Sequence, residues 1–251
     1  MKTKFYTSAR GYKIAYRHYE GAAAGVLFLP GFRSDMDGIK ATALAEYCCA
    51  HHLSYTAIDY FAHGETEGDF LEFTISHALS DVLEIIDYKI TAPIILVGSS
   101  MGGWLALLAA LARPEKIAGL IGIAAAPDFT EKLMFERFTD DQRSTLVRDG
   151  VLYVPSEYSL DQYPITEKLI RDGRQHLLLS DAIPLEMPLH LIHGQADADV
   201  PWHFSLEIAE KILSKNVCVT LIKEGDHRLS RPQDILLLIK SIEKMCSLTN
   251  A

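Results

Sequence analysis

Ile94-Ile95-Leu96-Val97-Gly98-Ser99-Ser100-Met101-Gly102-Gly103-Trp104-Leu105-Ala106-Leu107-Leu108-Ala109-Ala110 decides how this chain is read. Its first four residues are a short apolar run of strand type, and Trp104 to Ala110 read as a buried helix. Between them stands Gly98-x-Ser100-x-Gly102, a sharp strand-to-helix turn whose small neighbours let the backbone bend tightly and push the Ser100 hydroxyl into the open. Gly and Ser also cluster at such turns merely to give the backbone room. The weight of the pentapeptide therefore depends on whether a base and an acid stand further along the chain.

A serine hydroxyl is a poor nucleophile at neutral pH; it needs a histidine to take its proton and a carboxylate to hold that histidine in the right tautomer. Downstream, Leu189-His190-Leu191-Ile192-His193-Gly194 reads as a strand running into the loop Gln195-Ala196-Asp197-Ala198-Asp199-Val200-Pro201. A second apolar run, Val217-Cys218-Val219-Thr220-Leu221-Ile222, leads into Lys223-Glu224-Gly225-Asp226-His227-Arg228. Both Asp197 and His227 thus fall on loops just past strand ends, in the order serine, acid, histidine that accompanies this elbow. Asp199 is the rival acid on the same loop, and Asp197 is preferred for its place between the strand end and Val200-Pro201. Asp226 points elsewhere if His227 points inward. His51 and His52 fall on a helix; His63, His77, His176, His190 and His203 lack a strand-loop setting with a partner acid. His193, at a strand end, is expected to tie down a neighbouring loop.

An acyl-transfer site also needs donors for the oxyanion. One is the backbone N–H of Met101, next after the serine; the other comes from the loop after the third strand, where Val26-Leu27-Phe28-Leu29-Pro30-Gly31-Phe32 places the Phe32 N–H.

These residues resemble the α/β-hydrolase superfamily. Within it the chain is similar to the mitochondrial acyl-protein thioesterases that also hydrolyse the acyl glucuronide of mycophenolic acid. The likeness lies in Leu29-Pro30-Gly31-Phe32-x-Ser34-Asp35-Met36-x-Gly38-x-Lys40-Ala41, in the serine motif through Trp104, in Ala112-Arg113-Pro114-Glu115-Lys116, in Val200-Pro201-Trp202-His203 and in Asp226-His227-Arg228. The resemblance implies an α/β-hydrolase fold, with a mostly parallel eight-stranded sheet, helices on both faces and an inserted cap. It also implies a serine hydrolase acting on an acyl ester or thioester without a cofactor or metal. From the residues alone the reading stops at an activated acyl group. A peptidase or carbon–carbon bond hydrolase on the same scaffold, or a ligand-binding protein that does no chemistry, stays open.

Composition bounds the rest. A chain of 251 residues, 49% hydrophobic and 23% charged, is long enough for one large core and is expected to be a single domain. Its net charge of −9 argues against nucleic acid, which needs a basic face. Cys48, Cys49, Cys218 and Cys246 form neither a metal-ligand spacing nor a disulfide framework, as expected of thiols in a reducing compartment. No apolar run reaches the ~20 residues of a membrane span, and Met1 to Phe5 run almost directly into the first strand, so neither a signal peptide nor an organelle presequence is expected. The expectation is a cytoplasmic monomer or homodimer acting on a small molecule or an acylated protein.

Along the chain, residues 3 to 8 and 12 to 18 alternate as a hairpin of edge strands. Strands are expected at 25 to 30, 54 to 59, 94 to 99 and 117 to 125, with helices at 38 to 52, 74 to 89 and behind Ser100. From Ala126 the alternation stops, and it resumes at Met187. Residues 127 to 186, with Asp140 to Arg148 helical and Tyr153-Val154-Pro155-Ser156-Glu157-Tyr158 aromatic and Pro-punctuated, are expected to be a cap over the serine. On it Phe129, Leu133, Met134, Phe135 and Phe138 either line an acyl groove or glue the cap to the core. Arg33, beside the oxyanion loop, is a candidate for an anionic group on the substrate.

Overall fold

The computed structural model describes residues 1–21, 23–155 and 162–249, so Ser156, Glu157 and Tyr158 of the aromatic stretch lie outside the described residues. Eight strands form one sheet: β1 (Lys4–Thr7), β2 (Lys13–Tyr19), β3 (Ala23–Leu29), β4 (Leu53–Ile58), β5 (Ile94–Ser99), β6 (Ile117–Ile123) and, after the insertion, β9 (Leu189–Gly194) and β10 (Val217–Ile222). Their order is β1-β2-β4-β3-β5-β6-β9-β10. β2 pairs antiparallel with β1 and β4, and every other neighbouring pair is parallel.

The central strands are apolar on both sides because both faces are covered. Leu27, Leu96, Leu120 and Leu191 pack with α2 (Ile75–Lys89), α3 (Met101–Ala112) and α6 (His203–Lys211). Val26, Phe28, Ile95, Val97, Ile121 and Ile192 turn the other way, onto α1 (Ile39–Ala50) and α7 (Pro232–Thr249). The period of two along each strand thus assigns its side chains to two layers. α3 is buried from Met101 to Ala110, which explains a helix that is apolar all round.

Between β6 and β9 the chain makes a π-helical turn (Thr130–Met134), α4 (Asp140–Asp149), an antiparallel pair of β7 (Val151–Val154) with β8 (Tyr163–Thr166), and α5 (Glu167–Gly173). Thr139 and Gln142 close a reciprocal capping box on α4, and Gly150 ends it in the left-handed conformation at φ 75°. Leu146, Leu152, Ile165 and Ile170 form a small apolar cluster of the segment's own. Hydrogen bonds tie the segment to the core: the Trp104 indole N–H donates to the His176 carbonyl at 3.1 Å, and the Ser76 N–H to Asp172 Oδ2 at 2.8 Å.

Candidate active site

Strand β5 ends against α3 with almost no connecting chain, and Ser100 is the whole turn. Its φ of 54° and ψ of −118° are rare for a residue with a Cβ, and three backbone hydrogen bonds hold it there. The Ser100 N–H donates to the Ile123 carbonyl at 2.9 Å, and the Ser100 carbonyl accepts from the N–H groups of Gly103 at 2.9 Å and Ala126 at 3.1 Å. The glycines on either side are needed for approach rather than flexibility. A Cβ on Gly98 would overlap the Gly102 carbonyl, and one on Gly102 would overlap the carbonyls of Leu29 and Pro30.

The loops after β9 and β10 meet beside this serine. They are zipped by the Gln195 N–H to Ile222 carbonyl bond at 2.8 Å and the Ala196 N–H to Gly225 carbonyl bond at 2.9 Å. His227 Nε2 lies 3.1 Å from Ser100 Oγ, and His227 Nδ1 lies 2.8 Å from Asp197 Oδ2. The Asp197 side chain is fully buried, while that of His227 is 19% exposed and so can reach an incoming group. Burial pulls the Asp197 carboxyl upward, but hydrogen bonds from His193 and His227, with the Val200 N–H, outweigh it and hold the group well below the usual carboxylate range. Asp199 sends its backbone N–H to Asp197 Oδ1 at 2.9 Å, and Asp226 Oδ1 caps the Leu229 N–H at 2.9 Å. Lys40, which burial lowers to about 8, donates its ammonium to the Arg228 carbonyl and anchors the loop of His227.

The loop after β3 crosses over the serine: a Cβ on Gly31 would sit 3.4 Å from Ser100 Cβ. Among the described residues neither the Phe32 N–H nor the Met101 N–H is taken by a protein acceptor. The next residue, Arg33, has φ 58°, and its N–H donates to His63 Nε2 at 3.1 Å. His63 in turn bonds the Phe61 carbonyl through Nδ1 at 3.0 Å, and burial lowers it to about 4, so it is a neutral acceptor at ordinary pH. A histidine with no acid partner thus supports this loop. Its signal in the sequence is the turn Phe61-Ala62-His63-Gly64, where Ala62 and Gly64 both take positive φ.

Phe32 is ringed by Phe70, Phe73 and Phe129 with centroids 5.4, 5.9 and 5.7 Å away, and Phe129 also meets Trp104 at 5.7 Å. This makes an apolar wall beside Ser100. Leu133 and Met134 are half-buried against the main core, whereas Phe135 and Phe138 pack into the insertion's own cluster, away from the wall. The Arg33 guanidinium lies 4.8 Å above the Tyr163 ring of β8, which brings the insertion to the edge of the loop after β3.

Among the described residues, one grouping of His, Cys and acidic side chains is close enough to hold a cation: Asp197, Asp199 and His227. Both Asp197 oxygens there already accept N–H donors, which disfavours it as a cation site. A cavity of about 300 Å³ where α2 meets α5, lined by Arg10, Lys168 and Arg171, contains none of the residues around Ser100. No helix of the described residues is long and apolar enough to cross a membrane.

Comparison with known proteins shows the family and the fold. The alpha/beta hydrolase family model matches residues 26–236. The chain is 40% identical over 233 residues, 92% of its length and 76% of the relative's, to "Palmitoyl-protein thioesterase ABHD10, mitochondrial" of Homo sapiens. Alpha/beta hydrolase domain-containing protein 10 from mouse superposes with a TM-score of 0.91 at 36% identity, covering 98% of this chain and 99% of that one. A putative hydrolase from Agrobacterium vitis S4 superposes at 0.94 with 34% identity, covering 97% and 98%. The relatives correct one expectation: those from cattle, orangutan, human, mouse and rat are all named mitochondrial, which overturns the cytoplasmic assignment. That assignment rested on cysteine usage and on how the chain begins, and neither reads out a compartment. With the family model spanning most of the sequence and relatives at this identity along nearly all of it, the chain belongs to the alpha/beta hydrolase family.

Proposed function

We propose that this chain is a serine hydrolase that opens acyl thioesters, with Ser100 as nucleophile, His227 as general base and acid, Asp197 as the group that orients the imidazole, and the N–H groups of Phe32 and Met101 as the oxyanion donors. The observation that carries the reading is the line of hydrogen bonds from Ser100 Oγ through His227 to Asp197, starting from a serine held in strained backbone.

His227 Nε2 takes the Ser100 proton as Oγ adds to the acyl carbon, and the carbonyl electron pair moves onto oxygen between the two N–H donors. Collapse expels the thiolate, which takes the proton back from His227 and leaves an acyl-serine. Water repeats the sequence with His227 as base and releases the acid. The buried, ionised Asp197 stabilises the imidazolium at each stage. Each oxyanion donor is worth about 3–4 kcal/mol of the barrier, and proton transfer by the base roughly 10²–10⁴-fold in rate.

The thioester assignment is supported by the relatives named as palmitoyl-protein thioesterases and by the apolar wall of Phe32, Phe70, Phe73 and Phe129, which suits an acyl chain. Residues 127 to 186 serve in this reading as a lid, with Phe129 facing the chain and Arg33 with Tyr163 at the rim. A fluorophosphonate probe tests the chemistry: wild type labels at Ser100 and Ser100→Ala does not, whereas an unlabelled wild type contradicts the assignment.

A further inference from the structure

Two imidazoles bind the Asp197 carboxylate, and only one of them faces the serine. Asp197 Oδ1 accepts the backbone N–H groups of Asp199 at 2.9 Å and Val200 at 2.8 Å. Oδ2 accepts His227 Nδ1 at 2.8 Å and is also approached by His193 Nε2 at 3.2 Å. His193 Nε2 lies in addition 3.0 Å from the Val200 carbonyl. A carboxylate and a carbonyl both accept only, so Nε2 must carry a proton, and Nδ1 faces the Ser205 hydroxyl at 2.8 Å. The side chains of His193 and Asp197 are both fully buried, so water cannot replace this donor.

We propose that His193 is a positioning residue: its Nε2–H locks the Asp197 carboxylate and takes a share of the negative charge that His227 alone would otherwise draw on, an assignment that rests on Asp197 and His227 working as acid and base. A carboxylate with one imidazole partner holds that partner's proton more tightly than a carboxylate with two. His193 thus shares with His227 the carboxylate oxygen that orients the base, and keeps Oδ2 aimed at His227 Nδ1. Among the described residues the titratable groups beside the His193–Asp197 pair are His227 and Asp199. His227 comes from the loop after β10 and Asp199 from the acid's own loop, all within 4.8 Å of Asp197, while α6 presents the uncharged Ser205 hydroxyl.

The test begins on the wild type with the ring nitrogens of His193 in 15N-labelled protein. A protonated Nε2 is expected, and an unprotonated Nε2, which cannot donate to Asp197, overturns the proposal. The pH profile of kcat/KM for thioester hydrolysis is then compared for wild type, His193→Leu and His193→Gln. In the leucine variant the acid limb moves to higher pH by about one unit and the plateau falls by up to about 10²-fold. Glutamine, whose amide N–H reaches the same oxygen, recovers most of the rate and returns the limb. A purely structural role lowers the plateau and leaves the limb in place, and that result overturns the proposal. Should the leucine variant not fold, the ring-nitrogen measurement decides. Asp197→Asn separates the two claims: a drop of roughly 10⁴-fold upholds the acid's role, and wild-type rates there remove it whatever His193 does.

Discussion

Ser100 pairs a rare backbone conformation with a hydroxyl 3.1 Å from an imidazole, and its removal should cost chemistry rather than folding. Ser100→Ala is expected to lower kcat by up to about 10⁶-fold with the melting temperature held or raised, because alanine keeps the backbone and loses only the hydroxyl. His63 acts through a single acceptor nitrogen: His63→Phe leaves the Arg33 N–H unpaired and lets the Phe32 N–H drift. The expected loss is about 10²-fold in kcat with little change in KM, read by steady-state kinetics. That Ser100, Asp197 and His227 come together is legible in the sequence because each follows a strand end, and strand ends can be found from apolar runs. His63 and the acid contact of His193 are not, because their partners are a backbone N–H and an oxygen that only folding brings near. The expectation that His193 fastens a loop describes its bond to the Val200 carbonyl and misses the one to Asp197.

At the scale of elements, Asp81 on α2 joins the β1–β2 hairpin to the segment after β4. It accepts from the Tyr12 hydroxyl at 2.5 Å and from the Phe61 N–H at 2.7 Å while fully buried. Burial raises it to about 7, against 3.8 for the free side chain. Below the lower value both folded and unfolded chains are protonated. Between the two values the folded chain binds more protons, so this group's stabilisation fades as pH rises through the window and is flat above it. Asp81→Asn, whose Oδ1 still accepts from the Phe61 N–H while its amide N–H donates to the Tyr12 oxygen in place of the carboxylate that accepted from it, should therefore gain in melting temperature over wild type from about pH 4 to about pH 7; a constant difference across that range contradicts the assignment. The core strands and helices are legible because they are long and periodic. β7 and β8 are not: they are four residues each, β8 carries Pro164, and among the described residues they pair with each other alone. Gly102→Ala tests the tight packing of β3, the elbow and α3. Its Cβ would overlap the backbone carbonyls of Leu29 and Pro30 at the end of β3, which cannot give way as a side chain would, so loss of soluble folded protein is expected, measured as yield and circular dichroism.

Across the whole molecule, one sheet holds Ser100, Asp197 and His227 just past the ends of β5, β9 and β10, and the segment between β6 and β9 brings Phe129 against Phe32 and Trp104. Phe129 is 7% exposed, so Phe129→Ala should cost about 3–5 kcal/mol of stability and reduce the rate on long acyl chains more than on short ones. The substrate is the part least legible from sequence, since the wall beside Ser100 is assembled from the loop after β3, the turn before α2 and the insertion, which lie far apart in the chain. The most direct measurement is kcat/KM of wild type and Ser100→Ala on matched thioesters and oxyesters with acyl chains from two to sixteen carbons. A thioester preference that rises with chain length and vanishes in Ser100→Ala is the predicted result. Activity undiminished in Ser100→Ala, or a flat profile favouring short oxyesters, contradicts the account.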